Sequence, residues 1–263
     1  MTYLLHEDRE RAVALFERLM DGQPELLQAY PTQEFLRYGL FRFYRRMKPF
    51  ILAVMEEEFE STQQRGAELI CIAAISPRAL NAEELVDAQQ IAESVMSGRP
   101  AWRRGAARIY AFNLASESSQ TCMEALLRLT NDDDDKVRQF VSGMFPRLRD
   151  EHILTLRPLL EAFASSASLE QGWHQFTEFL WNHAAIDPEW ALKVVDVVLR
   201  NSHQPTGFRQ FDAGEKLIRL VLRVYTDPIS NEQMRRSAMD LFDQLMERYA
   251  FEAQRILSEW DRR

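Results

Sequence analysis

Arg65-Gly66-Ala67-Glu68-Leu69-Ile70 and Arg104-Gly105-Ala106-Ala107-Arg108-Ile109 are two copies of one helical phrase, and this repetition decides the fold. Weaker copies occur at residues 138–141 and 236–241. The first three copies begin at positions 65, 104 and 138, so the intervals are 39 and 34 residues. Intervals of this size are typical of stacked helical hairpins, in which each hairpin buries its apolar face against its neighbours. The sequence therefore predicts an elongated helical scaffold.

Composition agrees with a largely helical chain. The 263 residues are 46% hydrophobic and include only 9 glycines and 10 prolines, and apolar–polar alternation typical of strands is scarce. The net charge of −8 argues against general nucleic-acid binding but permits a local basic patch. Cys71 and Cys122 lie in apolar helical phrases far apart, so we expect two buried, reduced thiols.

Nothing in the sequence indicates a membrane segment. The longest apolar run, residues 69–75, is far shorter than a bilayer span. The first residues lack the basic stretch and following apolar stretch of a signal peptide. We therefore expect a cytoplasmic protein.

Helix-start signals recur along the chain. Asp187-Pro188 is a cap followed by a first-turn proline, and the aspartates at 132–135 precede another helix. Pro49 is expected to open a helix that runs to Phe59. Four other residues precede Glu or Gln by three positions, which predicts capping boxes. These residues are Ser61, Asn81, Ser168 and Ser230.

These signals predict three regions. Residues 1–48 form an N-terminal helical segment, residues 49–200 form the repeat array, and residues 208–263 form a C-terminal helical cap. The polar stretch 201–207 is the predicted loop between array and cap. The cap should pack on the array because Leu217, Val221 and Leu241 require burial.

Three phrases carry a family resemblance. Met47-Lys48-Pro49-Phe50-Ile51 and Leu156-Arg157-Pro158-Leu159-Leu160 look like first helices of HEAT repeats, and Asp134-Asp135-Lys136-Val137-Arg138 resembles the start of a second helix. The resemblance implies an all-α fold, a HEAT-like α–α superhelix of stacked antiparallel hairpins in a right-handed arc. Second helices at residues 65–75, 104–114 and 137–145 should then lie adjacent and parallel, with Gly66 and Gly105 allowing close approach.

A looser resemblance concerns the whole order of phrases. The paired Arg-Gly-Ala helices, the aspartate run before Val137-Arg138 and the ending Ser258-Glu259-Trp260-Asp261-Arg262 are similar to the C-terminal helical region of bacterial NACHT-like signal-transduction NTPases used in antiviral defence. In that family the region follows an ATPase module and senses a trigger. No phosphate-binding loop of the form Gly-x-x-x-x-Gly-Lys-Ser/Thr occurs in this chain.

Catalytic and metal-binding patterns are weak. His174 and Glu178 share a helical face, but no second Cys or His cluster completes a metal site. The aspartates at 132–135 lack the alternate spacing and glycine turn of a calcium loop. No nucleophile motif occurs. We therefore expect a chain that binds rather than catalyses, with no catalytic, metal or cofactor residues.

Two arginine clusters are the candidate binding residues. No acid interrupts residues 37–48 or 99–108, and arginine suits bidentate contacts to anions. A protein partner is the favoured interpretation, and a nucleic-acid scaffold that holds phosphates is the alternative. A third interpretation is a solvated face balanced by the glutamates at 56–60. The oligomeric state is left open. The candidate partner-binding residues are Arg42, Arg45, Arg46, Arg99, Arg103, Arg104 and Arg108.

Overall fold

The computed structural model describes residues 8–201 and 209–260, and the all-α prediction is confirmed for these ranges, which contain no strand. Two short 3-10 turns also occur, at Pro24–Gln28 and Phe145–Arg147. The predicted loop at 201–207 lies, apart from Asn201, outside the described residues. The α-helices of the described ranges are α1 (Arg9–Gly22), α2 (Tyr30–Gly39), α3 (Tyr44–Met55), α4 (Glu60–Ala74), α5 (Ala82–Met96), α6 (Pro100–Asn113), α7 (Ser119–Leu129), α8 (Asp135–Ser142), α9 (Asp150–Ala164), α10 (Ser168–His183), α11 (Pro188–Asn201), α12 (Arg209–Thr226), α13 (Glu232–Arg248) and α14 (Ala250–Trp260).

The chain divides into two compact units, Met1–Ala125 and Leu126–Arg263, and the division falls within α7. Each unit has its own core of buried aliphatic and aromatic side chains. Both cysteines are free thiols buried in the first unit, as expected. Across residues 8–201 and 209–260, every helix is too short or too polar to cross a bilayer.

In the first unit, helices α4 and α6 pack side by side, as the repeated phrase predicts. Their contacts advance in the same direction along both helices: Glu60 pairs with Arg104, and Glu68 pairs with Arg108. The two helices are therefore parallel. Each also packs on the helix that precedes it, α4 on α3 and α6 on α5. The four helices α3 to α6 therefore follow one another as two consecutive hairpins.

Glycine allows α4 and α6 to approach each other closely. A Cβ atom on Gly105 would lie 2.6 Å from the backbone oxygen of Gln64 and 3.0 Å from the Cβ of Ala67. Gly66 has the same place in the first phrase but faces α3, where a Cβ would lie 2.5 Å from the Cγ of Met55. The two glycines of the repeat thus serve different contacts, one between hairpins and one within a hairpin.

In the second unit, alternate helices pack in two rows. One row contains α8, α10, α12 and α14, and the other contains α9, α11 and α13. The final weak copy of the phrase, residues 236–241, lies on α13 and belongs to the second of these rows, so it is not equivalent to the copy on α8. Leu217, Val221 and Leu241 are buried, as predicted.

Two ion pairs fix the direction of one helix pair in this unit. Arg219 bonds Glu259, and Arg255 bonds Glu215, so α12 and α14 are parallel.

Gly172 of α10 approaches α8 closely, because a Cβ there would lie 2.4 Å from the Cβ of Ser142.

The helix starts were predicted with mixed success. Asn81 is the N-cap of α5 and forms the capping box with Glu84, and Asp187 accepts the backbone N–H of Trp190 at 2.9 Å. Asp134 caps α8 by accepting from Val137 at 3.0 Å. These predictions are confirmed.

Three other predicted caps and one predicted start are wrong. Ser61 lies inside α4, which begins at Glu60, and Asn231 rather than Ser230 caps α13. The hydroxyl of Ser168 donates to the carbonyl of Thr130 at 2.6 Å instead of capping α10. Pro49 lies inside α3, which begins at Tyr44 and ends at Met55. At Ser168 a tertiary contact overrides the local capping signal.

We expect Gly105→Ala to destabilise the first unit by about 1–3 kcal/mol, because the added methyl group overlaps the backbone of α4. In an open helix the same change would stabilise by up to about 1 kcal/mol. Gly22→Ala is the matched control, since a Cβ there meets nothing within 4 Å. Urea denaturation of the two variants tests this. A Gly105→Ala variant as stable as Gly22→Ala would contradict the close approach.

Candidate functional site

The predicted arginine clusters are largely paired with glutamates of neighbouring helices. Arg104 bonds Glu60 at 2.6 Å across the α4–α6 contact, and Arg99 bonds Glu56 at 2.8 Å. The first cluster behaves similarly: Arg45 bonds Glu83 at 2.7 Å. Much of the positive charge predicted from the sequence is therefore balanced locally, as in the interpretation of a solvated, compensated face.

The remaining candidates differ in their surroundings. Arg103 donates to the carbonyl of Gly98 at 2.7 Å, while Arg42 is exposed and makes no ion pair within the described ranges. Arg108 is half-exposed and bonds Glu68 at 2.9 Å. Arg46 bonds Glu10 and also holds Glu17 with two nitrogens, at 2.6 and 2.8 Å. Of these candidates, Arg108 alone lies in a groove described below.

A groove of about 520 Å³ lies among α2, α4 and α6 of the first unit. Four aromatic side chains line it and remain exposed: Tyr30, Tyr38, Phe41 and Phe112. Large aromatic side chains are usually buried, so four exposed ones on one concave surface distinguish this groove from the rest of the described surface. This groove is the candidate functional site.

Aliphatic side chains of α4 and α6 form the floor of the groove. Leu69 and Ile72 of α4 and Ile109 of α6 line it. Leu69 and Ile72 follow Arg65 by four and seven residues, which places all three on one face of α4, and Leu40, directly after α2, also lines the groove. The floor therefore depends on the parallel placement of the two helices.

The charged groups of the groove are organised around Glu68. This buried carboxylate accepts from Gln64 at 3.0 Å, from Arg108 at 2.9 Å and from Arg65 at 3.1 Å. Three donors satisfy its oxygens, so it holds both guanidinium groups at the groove margin. Arg37 lies on α2, with Glu34 at 3.8 Å.

Sequence reasoning missed this groove, although a signal was present. Tyr30, Glu34 and Tyr38 recur at intervals of four, which places them on one face of α2. The structure leaves this face exposed and buries the opposite face of α2, which contains Phe35 and Leu36.

A second groove, of about 300 Å³, lies between α11 and α13 of the second unit. Its lining is mainly polar, and its charged residues pair along α11: Lys193 with Glu189 at 2.7 Å, and Arg200 with Asp196 at 2.5 Å. Without exposed aromatic residues in its lining, this groove has no comparable signal for recognition.

The histidines and cysteines make other contacts. His174 lies 3.6 Å from Glu178, and His183 lies 2.5 Å from Asp150. No group of three or more potential metal ligands occurs in the described part of the chain. Burial raises the pKa of Cys71 to about 12 and that of Cys122 to about 12, so both thiols are protonated at neutral pH and are weak nucleophiles.

The Arg46–Glu17 contact gives the first unit a pH dependence. The hydrogen bond from Arg46 lowers the pKa of Glu17, so the carboxylate contributes stability above its ordinary pKa and loses it as pH falls through the lowered value. We expect Glu17→Gln to cost about 0.5–1 kcal/mol at pH 7 and less at pH 3.

Denaturation midpoints at pH 7 and at pH 3 measure the loss of stability that Glu17→Gln causes. Glu58→Gln is the control, because Glu58 is exposed and makes no ion pair within the described ranges. If Glu17→Gln lowers the stability of the fold by the same amount at pH 7 and at pH 3, the ion pair contributes nothing to that stability.

Comparison with known proteins assigns no family. No protein-family model, curated protein or solved structure matches the chain.

Proposed function

We propose that this chain is a non-catalytic protein-interaction scaffold of HEAT-like stacked hairpins, and that the groove of the first unit is its binding surface. Two observations support the HEAT-like arrangement: the parallel α4–α6 pair in the first unit, and the two rows of alternate helices in the second. The single observation that carries the binding function is the set of four exposed aromatic side chains in the groove.

Aromatic groups of this kind are suited to protein recognition. Tyrosine and phenylalanine offer large contact areas at low entropic cost, and tyrosine and arginine are enriched among the residues that dominate binding energy. The groove combines both types, with Tyr38 and Arg37 on α2 and Phe112 and Arg108 on α6. An aliphatic floor beneath them gives a partner's apolar side chains a surface to bury.

A nucleic-acid scaffold is the alternative, since aromatic rings and arginines also bind single strands. The charge balance favours a protein. Outside the groove, Arg99 and Arg104 are already paired with glutamates. A nucleic-acid backbone would have to continue past the groove over a chain whose net charge is −8, whereas a short protein segment would not.

The wider setting of the scaffold is proposed from the resemblance of its phrases. We propose a cytoplasmic sensing or docking region of a larger bacterial NTPase, of the type used in antiviral defence. A trigger bound by the scaffold would change the activity of the ATPase only if it bound two arrangements with different affinity. A Walker-type phosphate loop encoded upstream in the same reading frame would support this setting, and neighbouring genes of an unrelated pathway would remove it.

We expect short peptides selected from a random displayed library to bind the chain through the groove. Replacing Tyr38 and Phe112 together with alanine should weaken the selected peptides about tenfold or more, as for central residues of other interfaces. Phe59→Ala with Phe251→Ala is the matched control, because both rings are exposed and lie outside the groove lining. Fluorescence anisotropy with labelled peptides measures the affinities. Equal losses in the two double variants would refute the groove as the binding surface.

We also expect labelled single-stranded and duplex oligonucleotides to show no binding at low salt. If they bind, affinity should fall steeply with salt, and replacing Arg103, Arg104 and Arg108 with glutamine should flatten that dependence. Such a result would favour the nucleic-acid scaffold over the protein scaffold.

A further inference from the structure

We propose that the groove of the first unit recognises an acidic, apolar segment of a partner protein: a short stretch in which carboxylates flank aliphatic or aromatic side chains. This inference rests on the proposed function, because it specifies the chemistry of the protein segment that the groove binds.

The exposed charge of the groove is mainly positive. The side chain of Arg37 is 63% exposed, that of Arg65 is 49% exposed and that of Arg108 is 48% exposed. The acids are covered: Glu34 is 23% exposed and Glu68 is 8% exposed. A partner therefore meets guanidinium groups before it meets carboxylates.

Glu68 explains why these arginines are suited to a ligand. Its hydrogen bonds from Arg65 and Arg108 orient both guanidinium groups while leaving about half of each side chain exposed. An oriented arginine loses less entropy when it binds a second carboxylate, and the planar guanidinium fork matches the geometry of that group. Buried Glu68 is satisfied by three donors, so an incoming acid has no unpaired carboxylate beside it.

The rings and charges come from two sides of the groove. Helix α2 contributes Tyr30, Arg37 and Tyr38, while α4 and α6 contribute Arg65, Arg108 and Phe112. Apolar side chains of a partner can bury against the rings and the aliphatic floor while its carboxylates meet arginines on both sides. Tyr30 and Tyr38 are eight residues apart, which is about 12 Å along a helix and corresponds to about four residues of extended chain. The recognised segment is therefore short.

Peptide selection from a random displayed library tests the proposal with the intact chain. We expect selected peptides to be enriched in Asp and Glu next to aliphatic or aromatic residues. A synthetic version with its acids changed to Asn or Gln should bind about two- to tenfold more weakly. Arg37→Glu should weaken the acidic peptide by a similar factor and leave the amide version almost unchanged.

Matched variants show whether the effect of Arg37→Glu is specific to the groove. Arg78→Glu makes the same change of charge in the same unit but outside the groove lining, and it should leave both affinities unchanged. Arg37→Gln tests the loss of positive charge without the added negative charge, and circular dichroism melting shows whether each variant is folded.

The outcomes separate the inference from the function on which it rests. Selected peptides that depend on Tyr38 and Phe112 but are neutral or basic would overturn the acidic preference and leave the protein scaffold standing. An acidic peptide equally affected by Arg37→Glu and Arg78→Glu would also overturn it, because the effect would then be general charge. If no peptide binds through the groove, or if only an oligothymidine strand does, both the inference and the proposed function fail.

Discussion

The first unit depends on one close approach, where Gly105 of α6 faces the backbone oxygen of Gln64 on α4. No side chain fits there, since even a Cβ would lie 2.6 Å from that oxygen. The approach brings the two helices together at a separation that larger residues would prevent. Because the helices are parallel, side chains that are forty residues apart in sequence, such as Glu68 and Arg108, meet across the contact.

The groove is a consequence of this contact. When α4 and α6 lie side by side, their outward faces form a shared surface, and α2 contributes the remaining side. Leu69 and Ile109 then form a continuous floor, although neither helix alone could provide one. The arginine that precedes the glycine of the repeated phrase has a different environment in each copy. Arg65 reaches the groove, while Arg104 is 12% exposed and pairs with Glu60.

The sequence predicted what depends on local periodicity. The helical class and the cap at Asn81 follow from residues close together in the chain, whose signals act over one or two turns. The α4–α6 pairing follows from the recurrence of one helical phrase after 39 residues. Ser168 shows the limit of such signals. Its hydroxyl could have capped α10, but the carbonyl of Thr130, thirty-eight residues earlier, accepts it instead. Pro49 is similar, because α3 begins before it and continues through it.

The candidate site was less predictable because it depends on which helix faces remain uncovered. An arginine run in sequence indicates positive charge, but the structure places Glu83 beside Arg45 and Glu56 beside Arg99, and their charges are balanced.

The aromatic face of α2 was visible in sequence, yet nothing local distinguishes a ring that packs inward from one that stays exposed. That distinction requires the position of α6, which brings Phe112 to the same groove as Tyr38. Arg45 and Arg99 pair with exposed glutamates, whereas Arg65 and Arg108 pair with the buried Glu68 and keep about half of each side chain exposed beside the rings. For this reason the groove, rather than the arginine runs, is the surface most suited to a partner.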